Sequence, residues 1–109
     1  MTNLNEREKA FEAKYQHDQE LAFKVHVRRN KLLGLWAAEQ MGMAKDAAAA
    51  YAKTVVEADF ERPGDADVVD RVQKDLTARG IDTSEHRIRK EMERLLAVAK
   101  SQIMSESGA

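Results

Sequence analysis

The sequence predicts an all-α protein, a four-helix bundle that carries a mobile N-terminal arm. Three observations lead there. Of 109 residues, 43% are hydrophobic and 34% charged, but only 6% are aromatic and one is proline. Alanine, glutamate, lysine, leucine and arginine dominate, and these lose little side-chain freedom in a helical turn. Apolar residues recur at three- and four-residue spacing in four stretches, separated by short breaks at Gly42, Pro63-Gly64 and Gly80.

The first stretch runs from about Asn5 to Gln40, with no proline and one glycine, Gly34. Its two halves differ. Residues 1–20 carry five acids and three bases, whereas residues 21–40 carry four bases and one acid. The first half is poor in apolar groups, with Phe11 and Tyr15 at i,i+4 as its large ones. Two such groups on a charged segment cannot offset the entropy of ordering it. Residues 1–20 therefore read as an arm, disordered or a frayed helix when free. Residues 21–104 read as the bundle, and 105–109 as a frayed tail.

In the second half, Leu21, Val25, Leu32 and Trp36 fall at helical spacing, with Leu33 and Leu35 widening the stripe. Gly42 sits where a C-cap belongs. A second helix over about Ala44 to Asp59 presents Ala47, Ala48, Tyr51, Val55 and Ala58. Asp65 suits the N-cap of a third, over about Ala66 to Arg79, with Val68, Val69, Val72 and Leu76 as its core positions. Gly80 stops it. The fourth starts after Ile81 and a Thr83 or Ser84 cap, and buries Ile88, Met92, Leu95, Leu96, Ala99 and Ile103.

Chemistry of the catalytic kind does not emerge. With no cysteine, disulfides and thiolate sites are excluded. His17, His26 and His86 match no zinc spacing, and all three read as surface residues. No glycine-rich phosphate loop and no activated nucleophile is present, so we expect a protein that is not an enzyme and holds no metal or cofactor. No apolar run approaches the ~20 residues that span a bilayer, and no signal-peptide core follows the N-terminus. A soluble, cytoplasmic protein that does not insert in the membrane is expected.

Two features can carry binding. Arg28-Arg29-Asn30-Lys31 places three cations within four residues, either as phosphate contacts or as the solvated back of a helix. Phe11 and Tyr15, flanked by Glu8, Glu12 and Lys14, suit anchors of a helix that orders in a partner's groove, or an extension resting on the bundle.

The run from Arg7 to Asp18 resembles the N-terminal signature of the ATP synthase zeta-subunit family. So does the run from Arg28 to Glu39, and the similarity extends over the Pro63-Gly64 break and the Gly80-Ile81 turn. Tyr15 stands where that family is expected to have phenylalanine. Arg7, Glu8, Ala10, Glu12 and Tyr15 also fit, in register, a short run similar to one in the mitochondrial ATPase inhibitory factor. The resemblance implies a bundle whose arm, about residues 1–19, enters the F1 head between alpha and beta subunits near gamma and blocks ATP hydrolysis. It implies that Arg7, Glu8, Ala10, Phe11, Glu12 and Tyr15 make the contact, and that hydrolysis is inhibited more than synthesis. It also implies a monomer when free, peripheral to the membrane-bound ATP synthase. Two alternatives stay open on the residues themselves. One is a helical bundle binding nucleotide, weakly, or another small molecule through Arg28, Arg29 or Lys31. The other is a nucleic-acid adaptor using that patch, although a module of that kind has a wider basic face and nucleic acid is not the expected partner.

Overall fold

A computed structural model describes the backbone of residues 4–107 and the side chains of residues 6–107. Four helices follow one another: α1 Leu4–Gln40, α2 Lys45–Glu61, α3 Asp65–Ala78 and α4 Glu85–Glu106. The expected all-α four-helix bundle is the observed architecture. Met1 to Asn3 of the arm, and Gly108 and Ala109 of the tail, lie outside the described residues.

Glycine makes the turns. Gly42 (φ +71°) and Gly80 (φ +75°) adopt left-handed backbone conformations just beyond α1 and α3. In each turn an amide beyond the glycine closes back on the helix, Met43 N donating to the Ala38 carbonyl and Ile81 N to the Leu76 carbonyl, both at 3.0 Å. Ile81 then rests against the core. Ser84 caps α4, its Oγ accepting from Arg87 N at 3.1 Å. At α3 the cap is Gly64 rather than Asp65. Asp65 is the first helical residue, where its charge complements the helix dipole while its side chain turns to α1.

α1 is the spine: it packs on α2 and α4 most extensively and touches α3 as well. The core joins Leu33 and Ala37 of α1, Val55 of α2, Val68, Val69, Val72 and Leu76 of α3, and Ile88, Met92 and Leu95 of α4. All four core positions expected of α3 are buried. The α1 stripe is displaced. Leu33, Ala37 and Ala38 are fully buried, whereas Leu21, Val25, Leu32, Leu35 and Trp36 are half-buried. A helix contacted from three sides has no single apolar face for the periodicity to find. In α2, Ala52 is buried and Ala47 exposed, which rotates the expected face. Leu96 of α4 is exposed rather than core.

The register of α2 on α1 depends on Gly34. A Cβ there would lie 2.6 Å from the Ala52 Cα, so the two backbones approach as closely as they do because Gly34 has no side chain.

Candidate functional site

α1 is unbroken, but only its second half belongs to the bundle. Every residue from Glu6 to Glu20 is exposed, and burial begins at Leu21. At about 1.5 Å per residue, residues 4–20 rise about 25 Å beyond the packed core. This accounts for a molecule 67 Å long but only 25 by 22 Å across.

The arm presents Phe11, 74% exposed, and Tyr15, 60% exposed, the two highest values among the exposed large hydrophobic residues. They lie one helical turn apart. Arg7, Glu8, Ala10 and Glu12 are exposed on the same segment. The alternative of a helix extension resting on the bundle does not describe these residues, since neither aromatic is covered. His17 is exposed, as expected.

The basic cluster at the start of the bundle is a solvated face only at Lys31. Arg29 is 4% exposed and Asn30 1%. Arg29 forks onto Asp65, with Nη2 2.7 Å from Oδ1 and Nη1 3.3 Å from Oδ2, and its Nε and Nη2 also donate to Asn30 Oδ1. Asn30 Nδ2 donates to Asp59 Oδ2 at 3.0 Å, and Asp59 Oδ1 accepts from Gly64 N at 3.2 Å. His26 joins this node instead of standing free, its Nε2 3.2 Å from Asp59 Oδ2 and 3.3 Å from Arg29 Nη2. The Arg29 hydrogen bond holds the Asp65 carboxyl below its usual value; burial opposes this and the charges of Arg29, His26 and Arg89 assist it. The node ties α1 to the end of α2 and the start of α3, about two turns after the arm leaves the bundle.

A second clamp ties α1 to α4. Arg28 donates from Nη1 to Gln102 Oε1 and from Nη2 to Glu106 Oε1, both at 2.8 Å. Its hydrogen bond lowers the Glu106 pKa, and the partnership raises that of Arg28. Ser105 and Glu106 are therefore the last turn of α4 rather than part of a frayed tail. Of the three cations considered as phosphate contacts, Arg28 and Arg29 are bonded to carboxylates, and Lys31 alone is exposed.

Sequence reasoning missed Asp59, Asp65 and Glu106 as partners of Asn30, Arg29 and Arg28, because the pairings span 29 to 78 positions along the chain. It also missed Phe23 and Phe60, which are each 57% exposed and meet with ring centroids 5.9 Å apart. Among the described residues no group of three or more histidine, cysteine, aspartate or glutamate side chains is arranged to hold a metal. Among the same residues no helix is long and apolar enough to cross a membrane.

A chain whose structure was solved in solution by NMR shares the fold, with 49% identity and a TM-score of 0.67 over 77% of this chain and 95% of that one. No curated protein matches the sequence. The profile of the family described as ATPase inhibitor subunit zeta matches residues 1–102. An exposed arm on a clamped helical bundle, and a match over nearly the whole chain, lead to one conclusion: the chain belongs to the ATPase inhibitor subunit zeta family.

Proposed function

We propose that the chain inhibits its ATPase through the arm: residues 1–19 enter the F1 head between alpha and beta subunits, beside gamma, and block ATP hydrolysis. Family membership carries the coarser statement, an ATPase inhibitor role as a regulatory, non-catalytic component that associates with the ATP synthase. The observation that supports the finer one is the exposure of α1 from Glu6 to Glu20, with Phe11 and Tyr15 uncovered one turn apart.

The physics of the arm suits this role. A lone helix of this length is marginal in water, and Glu8 and Glu12 place like charges at i,i+4. In the free protein the arm frays, and it becomes fully helical in the F1 groove. Part of the contact energy is then spent on ordering, which keeps inhibition reversible. Phe11 and Tyr15 fill apolar pockets, and Arg7, Glu8 and Glu12 pair along the rim, with Ala10 leaving room for close approach. A wedge at a rotating interface needs no catalytic group; it favours one rotational state over the next. Rotation in the synthesis direction ejects the arm, so hydrolysis is inhibited more than synthesis. Equal inhibition of both directions would contradict that directionality.

Phe11→Ala and Tyr15→Ala, assayed for inhibition of ATP hydrolysis by isolated F1, test the assignment. Loss of a buried aromatic anchor costs about 2 kcal/mol or more, so each variant needs roughly 30-fold more protein for half-inhibition. Unchanged inhibition by both variants removes these residues from the contact.

A further inference from the structure

Phe23 and Phe60 belong to different helices, yet the fold brings their rings together at the surface, 5.9 Å apart and tilted by 39°. Each remains 57% exposed. Phe23 lines a groove between α1, α2 and the end of α4 whose apolar lining includes Val27, Val56 and Ile103, and Phe60 meets Phe23 without itself lining the groove. None of these side chains belongs to the arm, and the core does not require the two rings. An apolar groove continued by an exposed aromatic pair, one ring of which lines it, is the composition of a binding hot spot.

Charge defines what fits. Lys24, Lys31 and Lys53 stand exposed around the groove. Its arginine, Arg28, is already neutralised by Glu106. The rim is therefore positive, and it complements a partner segment that carries carboxylates beside an apolar tip.

Position defines where the partner is. α1 runs without a break through Tyr15 and Phe23, which are separated by eight residues, or about 12 Å of helix rise. On the arm reading proposed above, on which this inference rests, a seated arm carries Phe23 to the mouth of its own site.

We propose that Phe23 and Phe60, with Lys24, Lys31 and Lys53, form a second docking surface that grips an acidic, apolar-tipped segment on the outer face of the F1 head. The two contacts are joined by a single helix. Once the arm engages, the second meets its partner at high effective concentration and tightens binding without adding to the block itself. The arm stops rotation, and the bundle surface sets how long the arm stays.

The test uses full-length protein and isolated F1. Phe23→Ser/Phe60→Ser and Lys24→Glu/Lys53→Glu are compared with wild type and with Phe11→Ala for half-inhibiting concentration, maximal inhibition and dissociation rate. The altered side chains are exposed, and an unchanged thermal midpoint verifies the fold of each variant. Both surface variants are expected to raise the half-inhibiting concentration tenfold or more, chiefly through faster release, while reaching the wild-type maximum at saturation. The lysine variant also loses most of its dependence on salt. If Phe11→Ala weakens inhibition while both surface variants match wild type, the docking surface is overturned and the arm reading stands. If Phe11→Ala is also without effect, the arm reading fails and this inference fails with it. Concentration-dependent dimers abolished by Phe23→Ser/Phe60→Ser, with inhibition unchanged, would assign the surface to a second copy of the chain and overturn the proposal.

Discussion

Arg29 of α1 holds Asp65 at the start of α3 in a two-pronged pair, with its Nη2 2.7 Å from Oδ1. The arginine is buried, and the aspartate remains partly open to water. This pair and the Asn30–Asp59 bond fix three helices at one level, just after the arm leaves them. A rigid bundle at that level gives the arm a defined base from which to project.

Asp65→Ala leaves the Arg29 charge buried with Asn30 as its remaining acceptor. Breaking such a pair costs about 3 kcal/mol, at the lower end of the usual range because Asp65 is partly solvated. Chemical denaturation at neutral pH measures it. The pH dependence follows from the lowered Asp65 pKa. Its folded-state value lies below the usual 3.8, so the stabilisation is present above that pH and disappears as pH falls through the folded-state value. The stability gap between wild type and Asp65→Asn is therefore full at pH 7 and closes below about pH 4. A gap that widens on acidification would contradict the assignment.

Gly34→Ala sets helix propensity against packing. Alanine favours the helix by about 1 kcal/mol. Its Cβ, however, meets the Ala52 backbone at 2.6 Å, and backbone cannot swing aside as a flexible side chain does. Overpacking of this kind costs about 1–3 kcal/mol, so the variant is expected to be less stable in denaturant titration despite the better helix former.

Much of this was legible in the sequence, and what was not has physical causes. Gly42, Pro63-Gly64 and Gly80 punctuate the chain because left-handed turns favour glycine and helices end before proline, so the helix bounds followed closely. Val68, Val69, Val72 and Leu76 were legible because α3 packs through one face. α1 was less so, being contacted on three sides. Arg29 and Asn30 fall where periodicity shows only polar residues, and their burial depends on carboxylates that the chain reaches much later. Phe11 and Tyr15 stood out as neighbours on one helix. Phe23 and Phe60 did not, because only the antiparallel pairing of α1 with α2 brings them together.

Tyr51 is a local test of the α2–α3 contact. Its hydroxyl donates to Asp75 Oδ2 at 2.6 Å, and burial together with that bond raises its pKa well above the usual 10.0. The folded-state value is the higher one, so this stabilisation is complete below pH 10 and is lost as pH rises through the folded-state value. Tyr51→Phe is expected to cost about 1 kcal/mol at neutral pH. An alkaline absorbance titration of the variant should lack the tyrosine step at highest pH; its persistence would contradict the assignment of that step to Tyr51.

The most direct test of the central claim is ATP hydrolysis by isolated F1, freed of its own inhibitor, in the presence of either the full chain or a version lacking residues 1–19. Burial starts at Leu21, so the shortened protein keeps its bundle, and its helical circular dichroism and thermal midpoint confirm this before the assay. The account predicts that the full chain inhibits hydrolysis and that the shortened one does not at the same concentration. Equal inhibition by both would place the inhibitory element in the bundle and contradict the account.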